Sequence, residues 1–90
     1  MSYFRRPWDE TRGDERDAWG LSVWYFETDS DGNVIRQIEA YDHGPTLRYG
    51  PGREVDEFGQ LSDQPIDTVE FAEFEIPGDD FHRAWLNQGE

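Results

Sequence analysis

Three stretches of the chain hold residue types that do chemistry elsewhere. The first is DSDGN at 29–33, with the oxygen donors and the glycine of a calcium loop. An EF-hand needs oxygen ligands at positions 1, 3 and 5, Gly at 6 and a bidentate Glu at 12, all between two helices. Counted from Glu27, the residues Asp29, Asp31 and Gly32 fall correctly, but position 12 is Ile38 and Glu39 misses by one. The flanks WYFET and VIRQIE are β-rich, so the stretch reads as a hairpin turn. The second is Asp42-His43, a carboxylate beside an imidazole, which is the material of general-base catalysis. It lies in DHGP, a second turn signal, and the pattern places no serine nucleophile near it. His82, beside Asp79 and Asp80, reads as a solvated helical residue, and two histidines without a spacing relation make no zinc site.

The third is the acidic set Asp63, Asp67, Glu70, Glu73, Glu75, Asp79 and Asp80. Paired carboxylates that hydrolyse a bond need one member in an apolar pocket and a substrate cleft between them. Ninety residues leave little room for such a cleft, so a solvated acidic edge is the favoured reading. Beside Phe71, Phe74 and Trp85, however, the same acids would form a polar rim around an aromatic hot spot. There are no cysteines, which removes disulfides, thiolate metal sites and thiol nucleophiles. The expectation is a non-catalytic protein without metal or cofactor.

The elements that must position these residues follow from periodicity. WGLSVWYFET, about 19–28, and VIRQIEAYD, about 34–42, read as strands, and TLRY at 46–49 as a short third one. DSDGN and DHGP between them give an antiparallel meander. A two-residue turn at Asp31-Gly32 and a four-residue turn at Asp29 to Gly32 both put Leu21, Val23 and Tyr25 on the face of Ile38, with Trp24, Phe26, Ile35 and Tyr41 opposite, and the two-residue version also sets Glu27 beside Arg36. A turn centred on His43-Gly44 pairs Ala40 with Leu47, Glu39 with Arg48 and Ile38 with Tyr49. Ile38, Ala40, Leu47 and Tyr49 then share one face. Both faces carry apolar groups, so the second must be covered by the N-terminal arm, by the long loop or by another subunit.

Residues 1–18 read as a flexible arm, since DETRGDERDA has no large apolar side chain, although Tyr3, Phe4 and Trp8 suit a short edge strand. Residues 19–90 form the single domain. The segment 50–66, GPGREVDEFGQLSDQPI, is a long loop packed down by Phe58, Leu61 and Ile66. Asp67 to Glu70 has the form of a capping box, with a short helical turn over 68–73. After Ile76-Pro77-Gly78, the acids Asp79 and Asp80 suit a helix N-terminus, and Phe81, Ala84 and Trp85 share one helical face. The fold class is therefore α+β, a three- to four-stranded antiparallel meander with one C-terminal helix on the Ile38 face.

The formal charge is −13, from 21 acids against eight basic residues, all of them Arg. Residues 1–18 carry net −1 and residues 19–90 net −12, so the folded part is the acidic part. That sign repels phosphate, which argues against nucleic acid and anionic membrane and favours a basic protein partner or simple solubility. No apolar run reaches eighteen residues and the N-terminus lacks a signal-like apolar region, which makes a cytoplasmic protein the expectation.

The stretches WYFETDSDGNVIRQIEAY, LRYG, GQLSDQPID and FAEFEIPGDDFHRAW, taken together, resemble a family of small bacterial domains of unknown function. In that family a W-Y-F-E strand, an R-Q-I-E-x-Y strand, an L-S-D-Q-P segment and a C-terminal E-F-x-x-x-W helix recur in order. The resemblance covers about residues 22–85, and Leu61 to Pro65 is its most specific part. It implies an α+β fold and a stand-alone bacterial protein, and no activity. The N-terminal arm and Pro77-Gly78 depart from the family pattern.

Two functional expectations result. One is an acidic protein-binding domain, in a particular form an immunity or antitoxin-like protein that occupies the basic site of a nuclease-type partner. The other is a small-molecule-binding or weakly enzymatic domain. Its pocket would use Trp24, Phe26 and Tyr41 on the sheet, with Leu61, Ser62, Asp63, Gln64 and Pro65 from the long loop. A homodimer through the second sheet face is the rival to both.

Overall fold

A computed structural model describes residues 1–8, 17–57, 59–62 and 64–86. Four strands form one antiparallel sheet in chain order: β1 (Ser2–Trp8), β2 (Ser22–Thr28), β3 (Val34–Tyr41) and β4 (Thr46–Tyr49). A two-stranded ribbon follows, β5 (Val55–Asp56) with β6 (Gly59–Gln60), then a 3-10 turn at Ala72–Phe74 and the helix α1 (Gly78–Leu86). The α+β meander with one C-terminal helix is the architecture expected from the periodicity.

Within the segment expected to be a flexible arm, the edge strand that Tyr3, Phe4 and Trp8 suited is formed as β1. It pairs with all of β2, Phe4 opposite Phe26 and Arg6 opposite Trp24, so the sheet begins at Ser2 and not at Trp19. The rest of the arm, 9–16, lies outside the described residues, as do Phe58 and Asp63. Residues 75 and 76 cover the start of the outer edge of β1 through an Ile76 N–H to Tyr3 C=O bond of 2.9 Å, and Pro7 removes a donor further along it.

The β2–β3 register is that of the two-residue alternative, with Glu27 opposite Arg36 and Tyr25 opposite Ile38. A bulge at Glu27/Thr28 precedes a turn in which the Gly32 amide donates to the Asp29 carbonyl and Gly32 takes φ +85°. The Asp29 carboxylate accepts from the amides of Asp31 and Asn33 and from the Asn33 side chain. These bonds, that to Asn33 first, hold its pKa below the usual value. Its oxygens stabilise the turn in the manner of an Asx-turn.

The β3–β4 register differs from expectation by one residue. Glu39 faces Leu47 and Ile38 faces Arg48, so Ile38 and Ala40 share a face with Thr46 and Arg48, while Gln37, Glu39 and Tyr41 share the other with Leu47 and Tyr49. Two tertiary contacts pull the turn into this register. The His43 and Asp42 amides donate to the carbonyls of Trp19 and Leu21, and the Trp19 indole lies so close to Gly44 that a Cβ there would fall 2.5 Å from its ring. The Glu39–Arg48 ion pair is not formed. Arg48 instead donates to the carbonyls of Ala84 and Trp85 at the end of α1, a favourable place for a cation. Leu21, expected on the Ile38 face, precedes β2 and is exposed.

Helix α1 covers the Ile38 face. Phe81 is fully buried there, 5.4 Å from the Tyr3 ring, and the Arg36 guanidinium lies beside the Phe81 and Trp85 rings at 5.1 and 4.9 Å while it ion-pairs with Glu27. The other face is covered from within the chain: Phe71 and the partly buried Leu61 and Ile66 pack on Phe4, Phe26 and Val34, and Trp19 and Leu61 on Tyr41, Leu47 and Tyr49. No helix among the described residues is long and apolar enough to cross a membrane.

Candidate functional site

On the face opposite α1, β1 and β2 carry Arg6, Trp8, Trp24 and Phe26 at alternate positions, so all four side chains rise on one side. The Asp67 turn adds the last wall. Its carboxylate accepts from the amides of Val69 and Glu70, and the Phe71 amide closes the turn onto the Asp67 carbonyl. Phe71 is thereby driven into the sheet, edge-on to Phe4 at 5.9 Å and to Phe26 at 6.0 Å.

The result is a pocket of about 230 Å³ lined by Arg6, Trp8, Trp24, Phe26 and Phe71. Trp8 and Trp24 form one wall with ring centroids 6.0 Å apart, and the Trp24 indole N–H is satisfied at the base by Ser22 Oγ at 2.8 Å. The Trp24 wall therefore presents no unmet donor of its own. Arg6 closes the rim: its guanidinium carbon sits 4.9 Å from the Phe71 ring and 5.3 Å from both Trp8 and Phe74. Among the described residues Arg6 makes no hydrogen bond and no ion pair. The aromatic rings engage its charge, and they take none of the N–H donors. Glu70, Glu73 and Glu75, all exposed, flank Phe71 and Phe74 along the chain.

A second, more open depression of about 340 Å³ lies on the helix face between Arg5, Tyr25, Ile76, Asp80, Arg83 and Ala84. Its polar groups are already engaged, Arg83 with Asp80 at 3.2 Å and Arg5 with the Tyr25 hydroxyl at 3.3 Å. The aromatic pocket is the stronger candidate because its cation is not.

Of the sequence-derived interaction residues, Trp24, Phe26, Phe71 and Phe74 converge at this pocket. Tyr41 does not: its ring lies tilted against Trp19, centroids 5.0 Å apart, in the neighbouring cluster, and Leu61 packs against both clusters. Ser62, Gln64 and Pro65 do not line the pocket either. The Ser62 amide donates to Gln37 Oε1 at 3.0 Å, and its hydroxyl donates to the Gln64 carbonyl. Trp85 lies on the opposite face of the sheet, stacked with Phe81 at 6.2 Å. Asp63 lies outside the described residues. Arg6 and Trp8 were not anticipated; the signal for them is the period-two alternation Phe4, Arg6, Trp8, visible once 2–8 is read as a strand.

Beside the pocket, buried polar groups fasten the loop to the sheet. Gln37 and Tyr41 donate to Glu39 at 2.8 and 2.7 Å, Gln37 also donates to the Gln60 carbonyl, and the Tyr49 hydroxyl donates to Asp56 at 3.0 Å. Burial, then the Asp56 bond, pushes the Tyr49 phenol well above its ordinary pKa. This set holds residues 59–62 in place and positions Leu61 behind the pocket.

Fold and site together define a small α+β domain with an aromatic pocket at one edge of its sheet. No family model, curated protein or solved structure matches the chain.

Proposed function

We propose that this is a non-catalytic acidic domain that binds a protein through the Arg6–Trp8–Trp24–Phe71 pocket. The observation that carries the reading is the pocket with its acidic flank: an aromatic cavity with one exposed Trp wall, beside Glu70, Glu73 and Glu75. A desolvated aromatic centre ringed by charge is the usual anatomy of a hot spot. At about 230 Å³ the cavity takes one apolar side chain of a partner, whereas small-molecule sites span roughly 300–1,000 Å³. That size difference ranks the metabolite-binding alternative second, as does the engagement of Ser62 with Gln37. A charge of −13 favours a basic partner, and occupation of the basic site of a nuclease-type protein is a specific form of this reading. The resemblance to a bacterial domain family without assigned activity is compatible with it.

The test is affinity capture from the source organism with the wild-type chain and with Trp8→Ala, which removes a half-exposed wall without opening the core. A basic protein should be retained by the wild type in a salt-sensitive complex. Trp8→Ala should weaken it by about 2 kcal/mol, roughly 30-fold in Kd. Capture of no basic protein at any of several ionic strengths, or equal capture by both chains, rejects the proposal.

A further inference from the structure

We infer that the pocket reads the carboxyl terminus of its partner, taking an apolar last side chain between Trp8, Trp24 and Phe71 while Arg6 binds the α-carboxylate. The inference rests on the protein-binding reading and adds the chemistry of the occupant. Arg6 has an uncommon status in a chain with 21 acids: its guanidinium carbon lies within 5.3 Å of three aromatic ring centroids and it has no carboxylate partner among the described residues. Contact with the rings engages the charge of the guanidinium and leaves its N–H fork, the group that matches a carboxylate with two parallel bonds.

The spacing selects the source of that carboxylate. The guanidinium lies within 5 Å of the Phe71 ring that walls the cavity, so anion and apolar group must sit on neighbouring atoms of the ligand. A C-terminal residue meets this condition, because its carboxylate and its side chain leave the same Cα. The chain's own 9–16, DETRGDER, supplies carboxylates but no large apolar side chain and so cannot fill both halves of the site. Basic residues upstream in the partner would face Glu70, Glu73 and Glu75 and offset the negative field that opposes a carboxylate.

The experiment titrates the full chain with an acetylated Gly-Arg-Gly-Arg-Phe peptide and with its C-terminal amide, following the indole resonances of Trp8 and Trp24. A third peptide, Gly-Arg-Gly-Asp-Phe amide, carries its acid in a side chain. The free-acid peptide should bind at least about tenfold tighter than the other two, and Arg6→Gln should erase the difference while apolar binding persists. Equal binding of acid and amide, a preference that survives in Arg6→Gln, a preference for the internal acid, or no binding of any peptide each overturns the inference. If Arg6→Gln does not fold, the comparison of the peptides on the wild type decides alone. Capture lost in Trp8→Ala with no acid-over-amide preference would leave the protein-binding reading standing and this one refuted.

Discussion

Single residues carry the tightest constraints at the two turns. Gly32 sits at φ +85° with the Ile66 carbonyl 2.7 Å from where a Cβ would be, and its own carbonyl accepts from the Ile66 amide. Gly32→Ala combines left-handed strain with a backbone clash, so it should cost about 2 kcal/mol, read as a lower midpoint in urea at unchanged slope. The role of Gly32 was legible in DSDGN, because only turn chemistry explains Asp, Gly and Asn in that order. Arg6 was not. Two arginines before a proline look solvated in a sequence, and no local pattern says which rings a guanidinium meets after the chain has folded.

At the level of elements, α1 is held to the sheet by a charged pair beside two aromatic rings. Arg36 bonds Glu27 beside Phe81 and Trp85. Glu27→Gln leaves a largely buried guanidinium without its anion and should destabilise by about 3 kcal/mol, lowering the melting temperature by more than about 10 °C. The Arg36 bond is the largest cause holding the Glu27 pKa below its ordinary 4.5. Its stabilisation is therefore complete above pH 4.5 and disappears as pH falls through the lower folded value; acid melts should show this slope and Glu27→Gln should lose it. The faces of β2 and β3 were readable because two turns give the same apolar pattern, and of those two the register formed is the one that sets Glu27 beside Arg36. The β3–β4 register was misread by one step because a turn centred on His43-Gly44 and the sorting of Ile38, Ala40, Leu47 and Tyr49 onto one face served as arbiters. Contacts from distant segments decide it instead, Trp19 on Gly44 and the loop on Gln37, and neither is visible in the local pattern.

The whole molecule carries its −13 charge on a small body, and self-repulsion opposes the compact state. Added salt should raise the melting temperature before any partner is present, with a slope that flattens once screening is complete. High pH adds a second load. Tyr49 and Tyr3 both have raised phenol pKa values, chiefly through burial, so folding favours their neutral forms. Their contribution is intact below pH 10 and is lost as pH rises beyond it toward the folded values; Tyr49→Phe should show a shallower alkaline decline in melting temperature. The seating of Tyr3 against Phe81 has a kinetic consequence. The β2–β3–β4 meander can zip through neighbouring turns, whereas β1 and α1 meet only after some seventy residues of intervening chain have been brought round, a costly closure. Amides of β3 should therefore gain protection first in pulse-labelling, with β1 and α1 locking together in one later phase.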